Sequence, residues 1–393
     1  MFRSIRLLAC IAALLIAGCA APPPAKVDVP LDFDASVKAL ASDLFNQVAA
    51  HRSVIESMSG ALFVIDPFID SDTGEVTETS RRVQALLEEE ARQKFPKFEF
   101  KVLAGDNISR AAYLISGVMR LESYKGGARL PRIVSSVVAM KTGLVIAHSD
   151  AWIANPKLDY APTPLYRESP MYLKDKRVEG LIATAKATAG SAADKDYFNS
   201  LSTAALLNEG GGAYDKGDYE LALGLFAKAA ARPDGQVMKT YSGMYQSFFK
   251  LGRAKEAEDA FGKLAELAMQ TGVISVKFLF AVDNVEFFGR QEQLQQYQIW
   301  LRQLARQFAA AKSCVQILGH SSKSGGEAYN ERLSLLRAQR VQKLMQADQA
   351  AIAQTTRAMG RGFKDNIIGT GSDDDRDAID RRVEFKLVSC SAL

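Results

Sequence analysis

The sequence predicts a multidomain α+β protein, and three observations lead to that fold class. The chain has 393 residues, enough for two or three domains at roughly 150 residues each. Near both ends, short apolar runs typical of strands alternate with amphipathic helical stretches, whereas a 35-residue repeat between them has helical periodicity alone. The composition, 48% hydrophobic and 24% charged, is that of a folded globular chain and excludes a disordered or collagen-like one.

The charge balance argues against a nucleic-acid-binding protein. The chain has 49 basic and 45 acidic residues, a formal net charge of +4. Two of the basic residues, Arg3 and Arg6, lie in a segment predicted to be removed, which leaves 47 basic against 45 acidic residues. Such a small excess provides no basic surface that would attract nucleic acid, so we expect no nucleic-acid partner.

Residues 1–18 predict a secretory signal peptide. A basic start precedes an apolar run from Leu7 to Ile16, which is too short to span a bilayer. The run ends in the sequence Ile-Ala-Gly-Cys19, which resembles the bacterial lipobox. That resemblance implies cleavage before Cys19 and acylation of this cysteine. The alternative is an ordinary signal peptide followed by an incidental cysteine.

The lipobox resemblance also implies where the mature chain resides. Two or more acyl chains, such as palmitate, anchor a protein stably to a membrane. Ala20 follows the cysteine in place of the aspartate that retains lipoproteins in the inner membrane, so the resemblance implies the outer membrane with the chain facing the periplasm. Residues 19–32 are rich in proline and predict an extended stalk behind the lipid anchor.

Residues 33–154 predict an α/β sandwich domain. One apolar helical face runs from Val37 to Val48, and a second helix opens after residues 79–80. The predicted strands are 61–65, 99–103, 113–121, 132–140 and 144–153, the last two joined by a hairpin at 141–143. This order of elements, with residues 114–117 and 140–145, resembles envelope lipoproteins of the CsgG, LpoB and FlgO type over about 120 residues.

Residues 155–196 predict a linker with one short helix over 178–188. Prolines alternate there with Tyr160, Tyr166 and Tyr172. The tyrosines fit two interpretations, a strip that docks a partner or a segment that packs along a neighbouring domain. We favour the packed segment.

Residues 197–272 contain a helical repeat. An aromatic residue, a glycine, a small residue and a second aromatic recur 35 residues apart, as Tyr214, Gly217, Ala222 and Phe226 and then as Phe249, Gly252, Ala257 and Phe261. The spacing and residue types resemble two tetratricopeptide (TPR) repeats, each a helical hairpin, which we expect a flanking helix to cap. The resemblance implies a concave surface for a protein partner, and a rigid spacer is the alternative.

Residues 273–393 return to alternating strands and helices. The periodicity predicts a strand over 276–280, a helix over 291–311 and a strand over 315–318. Cys314 precedes the second of these strands, and Cys390 follows a later strand predicted over 383–388. If these two strands are antiparallel neighbours, the cysteines can form a disulfide in an oxidising periplasm.

This last region carries the most specific pattern in the chain. Three blocks occur in order, namely Gly319-His320-Ser321-Ser322 with the helical residues 329–341, then Gly360-Arg361-Gly362, then Asp380-Arg381-Arg382-Val383-Glu384-Phe385. The blocks resemble the OmpA-like domain that holds outer-membrane proteins to peptidoglycan. The resemblance implies a βαβαβ fold and peptidoglycan as the ligand.

The OmpA-like resemblance implies a site for the zwitterionic diaminopimelate side chain of the peptidoglycan stem peptide. Arg337 matches the arginine that binds the carboxylate, and a guanidinium suits this task because it donates two parallel charge-assisted hydrogen bonds. The alternative for Arg337 is a solvated helix charge. Ser322 replaces the aspartate that binds the ammonium group, so binding should weaken roughly tenfold to a hundredfold unless Glu327 compensates.

Three further residues complete the predicted site. Asn330 is expected to close the loop after the strand against the helix. Arg381 and Arg382 match an arginine pair of the family, although Asp380 stands where the family has asparagine.

The sequence predicts no catalytic residue, cofactor or metal ion. The stretch His148-Ser149-Asp150 lies on a predicted strand, where adjacent side chains point to opposite faces and cannot form a triad. Zinc-binding spacings and phosphate-binding glycine loops are absent from the sequence. The pattern therefore favours a non-catalytic protein that binds peptidoglycan and presents its other regions to envelope partners. The alternative is an assembly or regulatory adaptor whose OmpA-like domain no longer binds the wall.

Overall fold

The computed structural model describes residues 29–53, 56, 58–281, 283–311, 313–367, 369, 371, 377 and 380–393. The predicted signal peptide, the predicted acylation site Cys19 and most of the predicted stalk lie outside the described residues. Within the described part of the chain, no helix is both long enough and apolar enough to cross a membrane.

The N-terminal region is built on a mixed sheet. Its elements are α1 (Phe33–His51), β1 (Ala61–Ile65), β2 (Ile69–Asp70), α2 (Glu78–Lys94), β3 (Phe98–Val102), β4 (Tyr113–Ser123), β5 (Arg129–Ala139) and β6 (Leu144–Trp152). The strand order is β3-β1-β4-β5-β6, with β2 beside β4. Strand β1 is parallel to β3 and β4, whereas β4, β5 and β6 form an antiparallel meander. The βαβ unit at the start explains the parallel pairs, because parallel strands need a crossover connection.

Local sequence signals fix the ends of these elements. Asp32 caps α1 by accepting a hydrogen bond from the Ala35 amide at 2.9 Å. Leu31 N donates to Trp152 O at 3.1 Å, so residues 31 and 32 join the sheet region and not the stalk. The turn between β5 and β6 places Gly143 at φ +70°, a conformation that favours glycine.

The segment predicted as a linker packs against the sheet. It contains α3 (Pro164–Arg167), α4 (Lys176–Lys186) and α5 (Lys195–Asn199). Helices α1 and α2 cover one face of the sheet, and α4 covers the other face together with Tyr166 and Leu173. Because Tyr166 is buried in this core, it packs within the protein and is not part of an exposed strip.

Four consecutive helices follow, α6 (Leu201–Asp215), α7 (Tyr219–Ala230), α8 (Met238–Lys250) and α9 (Ala254–Met269), each packed on the next. Gly217 and Gly252 have φ values of +81° and +72° and end α6 and α8 as glycine C-caps do. A Cβ atom on Gly210 or Gly243 would lie 3.0 Å or 2.4 Å from the Phe226 ring. Glycines at these two positions therefore allow α6 and α8 to approach that buried ring closely.

The C-terminal region contains β7 (Val273–Val276), α10 (Gln291–Ala310), β8 (Cys314–Gly319), α11 (Glu327–Asp348), β9 (Thr356–Gly360) and β10 (Val383–Val388). The sheet order is β7-β10-β8-β9, with β10 antiparallel to β7 and β8 and β8 parallel to β9. The register pairs Val388 with Cys314, and a disulfide joins Cys314 to Cys390 with their Cα atoms 4.9 Å apart.

The predicted strand over 276–280 is wrong. Strand β7 ends at Val276, and Lys277 N instead donates to Pro170 O at 2.9 Å. The Phe278 ring then packs against Phe287 and Tyr297, with centroid distances of 5.3 Å and 5.4 Å. Phe278 is fully buried in this aromatic cluster and Phe280 is partly buried, whereas Leu279 between them is exposed. This alternation gives the same local pattern as a strand.

One continuous apolar core joins the described regions. It includes Val64 of the N-terminal sheet, Leu181 of α4, Phe261 of α9, Trp300 of α10 and Phe385 of β10. The ranges predicted as separate domains therefore pack on one another across shared apolar surfaces.

Candidate functional site

The candidate site lies where β8 ends and the chain turns into α11. A Cβ atom on Gly319 would lie 1.9 Å from Ser334 O, and one on Gly360 would lie 2.4 Å from Glu331 O. Real Cβ atoms cannot approach a carbonyl so closely, so both strand ends need glycine to press against the backbone of α11. The two glycine-containing blocks of the sequence thus set the distance between strand tip and helix.

Asn330 holds the loop after β8 against α11. Its Nδ2 donates to Ser324 O at 2.6 Å and to Gly326 O at 3.1 Å, which is the loop-closing role expected of this residue. Ser322 is buried in the same loop, with its Oγ 3.3 Å from the Ser324 hydroxyl. The position predicted to receive an ammonium group therefore presents a hydroxyl and no carboxylate.

Arg337 lies on the same face of α11 as Asn330 and Ser334, because the three follow i, i+4 and i+7 spacing. Its side chain is only 4% exposed, which rules out the alternative of a solvated helix charge. The guanidinium donates from Nε to Asn284 O and from Nη2 to Ala281 O, both at 3.1 Å. It also lies 5.0 Å above the centre of the Phe280 ring.

The loop residues 281 and 283–286, which we call the covering loop, are therefore bound to the predicted ligand-binding arginine. Two more contacts hold this loop on α11. Arg340 Nη2 donates to Glu286 Oε2 at 3.0 Å, and Tyr329 Oη donates to Asp283 Oδ1 at 3.1 Å. A ligand carboxylate that binds Arg337 through these donors has to replace the two backbone carbonyls as acceptor.

Glu327 does not supply, beside Arg337, the carboxylate that Ser322 lacks. It is exposed on the first turn of α11 and lies 3.8 Å from Lys364. The ten residues between Glu327 and Arg337 correspond to about 15 Å along the helix axis. The structure therefore does not bring these two predicted site residues together.

Arg382 belongs to an ion pair at the start of β10. Its Nε donates to Glu384 Oε1 at 2.6 Å, and its Nη2 donates to Asp365 O at 3.1 Å. Burial opposes ionisation of Glu384, but the His320 imidazole and the Arg382 guanidinium outweigh it and lower the pKa of Glu384 to about 2. Asp380 accepts from the amides of Ile367 and Gly369 at 2.7 Å and 2.8 Å, so it holds the backbone at these two residues.

Residues 287–380 match the OmpA family. This stretch of the chain is an OmpA-family domain. No curated protein sequence matches the chain.

Three solved structures are similar to part of this chain. The peptidoglycan-associated lipoprotein from Burkholderia pseudomallei is 21% identical, and the match covers 28% of this chain and 88% of that chain with a TM-score of 0.25. The cell wall anchor of the T6SS from Pseudomonas aeruginosa is 27% identical, and the match covers 30% of this chain and 80% of that chain with a TM-score of 0.25. The OmpA-like domain of FopA1 from Francisella tularensis subsp. tularensis SCHU S4 is 21% identical, and the match covers 30% of this chain and 75% of that chain with a TM-score of 0.23.

Sequence reasoning found the strand tip and helix of the OmpA-family domain but missed the covering loop. Asp283 has a φ of +50°, and Asn284 Oδ1 accepts from the Glu286 amide at 3.0 Å. Asp and Asn are common in such turns, and these two stand between Phe280 and Phe287. That composition could have predicted a turn in place of a strand. It could not have predicted that the turn lies over Arg337.

Proposed function

We propose that this chain is an outer-membrane lipoprotein that faces the periplasm and binds peptidoglycan noncovalently through its OmpA-family domain. The observation that carries the proposal is the family match over residues 287–380 together with Arg337 on the helix face beside the strand-tip loop. Anchoring through acyl chains on Cys19 adds a second attachment, so the protein would connect the outer membrane to the wall. The chain acts as a non-catalytic scaffold.

The proposed binding step is an exchange of acceptors on Arg337. In this structure Arg337 donates to Ala281 O and Asn284 O. When a stem peptide binds, its diaminopimelate carboxylate replaces these two oxygens as the acceptor. A carboxylate is the stronger acceptor because its hydrogen bonds to a guanidinium are charge-assisted. The ammonium group of the same side chain then faces Ser322, which offers it no opposite charge.

The other regions present surfaces to protein partners in this proposal. Helices α6–α9 resemble TPR repeats in spacing, and such helical hairpins commonly bind a peptide or a partner protein. The N-terminal region shares a core with them, so the two regions would meet a partner as one body.

Cosedimentation with purified sacculi tests the wall-binding step. Arg337→Lys keeps the positive charge but removes the planar fork, and we expect it to weaken binding roughly tenfold or more. Arg332→Lys is the matched control, because Arg332 is exposed on the same helix. Circular dichroism and thermal unfolding establish that both variants are folded. Equal retention of the wild type and both variants would refute the proposed site.

Membrane fractionation tests the lipid anchor separately. Cys19→Ser removes the acylated thiol, so we expect the protein to move from the outer-membrane fraction to the soluble periplasm and to lose palmitate labelling. Retention of the Cys19→Ser protein in the membrane would contradict the lipoprotein assignment and leave the wall-binding test unaffected.

The second candidate function is an assembly or regulatory adaptor whose OmpA-family domain is a protein interface. Two observations favour it, the serine at position 322 and the occupation of Arg337 by the covering loop. Failure of the wild type to bind sacculi, together with recovery of a defined partner by crosslinking to residues 197–272, would select this function.

A further inference from the structure

A cavity lies where the N-terminal region, the helices and the C-terminal region meet. Its volume is about 560 Å³, and its lining includes Glu75, Tyr172, Lys250 and Trp300. Among the described residues that line it, Arg381 and Arg382 belong to the predicted wall-binding set, whereas Ser322 and Arg337 do not line it. The cavity is therefore distinct from the strand-tip site.

The cavity lining is strongly basic. Its basic side chains are Arg167, Lys250, Lys277, Arg290, Arg381 and Arg382.

Each of the three lining carboxylates already contacts one of these basic groups. Lys277 binds Glu75, and Lys250 Nζ lies 2.9 Å from Glu168 and 3.9 Å from Glu292. Arg382 is paired with Glu384, which lies outside the lining, so the remaining described lining residues comprise five basic and three acidic side chains. An excess of one sign around a cavity attracts a ligand of the opposite sign.

Arg382 adds a buried donor that has no acceptor. The residue is only 4% exposed, and its Nη1 makes no hydrogen bond to any described part of the chain. Buried polar groups are nearly always hydrogen-bonded in native proteins, so such a donor at a cavity wall marks a place where an acceptor is missing. The side chain that carries the unmatched donor is a guanidinium, which binds carboxylates well.

The start of α10 contributes a second feature that favours anions. Its N-cap residue, Arg290, makes no side-chain capping hydrogen bond, and Gln293 of the first turn also lines the cavity. The N-terminus of a 20-residue helix carries partial positive charge and amide groups that point outward. This end of the helix faces the same space as the basic side chains.

The remaining walls are apolar and aromatic. Tyr172, Phe278, Leu279 and Trp300 line the cavity, whose volume falls within the range of small-molecule sites, about 300–1,000 Å³. We propose that this cavity binds a small organic carboxylate, with an apolar body against the aromatic walls and its acidic groups at Arg290 and Arg382. Because the lining comes from three regions of the chain, the bound ligand would hold those regions together.

Calorimetric titration of the full chain with phenylsuccinate tests the proposal, and its neutral dimethyl ester controls for apolar binding. We expect saturable binding of the acid and at least tenfold weaker binding of the ester. Trp300 fluorescence provides a second readout. The chain has two tryptophans, so a Trp152→Phe background leaves the cavity tryptophan as the single reporter.

Two charge reversals at exposed lining residues, Arg290→Glu and Arg167→Glu, should each weaken phenylsuccinate binding about tenfold to a hundredfold. Arg332→Glu makes the same change in net charge on an exposed residue outside the cavity lining, and it should bind like the wild type. Absence of saturable binding, equal binding by Arg290→Glu, or equal loss in Arg332→Glu would overturn the proposal. Sacculus binding depends on Arg337 and is measured separately.

Discussion

Arg177 and Arg337, two largely buried arginines, have different acceptors, and the contrast separates a structural joint from the proposed ligand site. Arg177 of α4 binds Asp66 after β1, with Nη2 and Oδ2 3.3 Å apart. Asp66 also accepts from Tyr197 Oη and Asn208 Nδ2, both at 2.9 Å. Arg337 instead donates to two backbone carbonyls of the covering loop.

The difference lies in what a ligand could displace. The acceptor of Arg177 is a buried carboxylate held by two further donors from α5 and α6, so a competing anion would have to break several hydrogen bonds at once. The two carbonyl acceptors described for Arg337 are neutral and belong to a loop. If a stem-peptide carboxylate binds Arg337 as proposed, it replaces these carbonyls with a stronger, charge-assisted acceptor. The proposed roles therefore differ: Arg177 joins regions, and Arg337 exchanges acceptors.

The largest expected effect is at the joint. Asp66→Asn leaves the Arg177 charge buried without its carboxylate, which should lower the free energy of unfolding by about 3–5 kcal/mol. Urea unfolding measures this, with Asp259→Asn as a control because Asp259 is exposed on α9. A loss of stability in Asp66→Asn no greater than in the control would show that the ion pair does not hold the regions together.

The next largest expected effect is on how the free energy of unfolding depends on pH. Glu384 in the C-terminal region and Asp70 in the N-terminal region should change it in opposite directions. The pKa of Glu384, beside Arg382, is lowered to about 2. Its stabilising effect is therefore present above the unfolded pKa of about 4.5 and lost as pH falls from there towards 2, by roughly 3 kcal/mol. Burial and the charge of Asp72 raise the pKa of Asp70 on β2 to about 6. Asp70 therefore destabilises the fold above pH 6, and this effect disappears as pH falls from 6 towards 3.8.

Unfolding free energies between pH 7 and pH 2.5 of the wild type, Glu384→Gln and Asp70→Asn test both signs. As pH falls below 4.5, the free energy of unfolding should decrease in the wild type but not through this group in Glu384→Gln. As pH falls from 6 to 4, the stabilisation that protonation of Asp70 gives the wild type should be absent from Asp70→Asn. Identical pH profiles for all three proteins would contradict these assignments.

The same contrast explains which features the sequence could predict. Strands β4–β6 and their hairpin follow from alternating apolar residues and Gly143, because those signals are local. The strand tip and the importance of Arg337 could be predicted because the motif that marks them occupies one continuous stretch of chain. Asp66, Arg177 and Tyr197 lie far apart in sequence, and no periodicity marks a contact between them. Phe278 and Phe280 gave a strand signal because aromatic residues that pack in a cluster can produce the same apolar pattern as residues of a sheet.

An intermediate effect is expected from restoring the acidic group at the strand tip. Ser322→Asp places a carboxylate where the ligand ammonium is proposed to lie, which should raise affinity for sacculi roughly tenfold to a hundredfold. Cosedimentation at several salt concentrations measures it, and Ser324→Asp in the same loop controls for added negative charge. Unchanged affinity in a folded Ser322→Asp protein would favour the adaptor function.

The smallest expected effect concerns the covering loop itself. Arg340 and Glu286 form a partly exposed ion pair, with side chains 34% and 60% exposed, so Arg340→Ala should change the free energy of unfolding by less than about 1 kcal/mol. If the loop has to leave Arg337 before a stem peptide binds, loosening it shifts the equilibrium towards the open form and raises sacculus affinity by up to about fivefold. Glu286→Gln breaks the same pair from the loop side and should act in the same direction. A decrease in affinity in both variants would show instead that the loop, in the position seen here, forms part of the wall-binding surface.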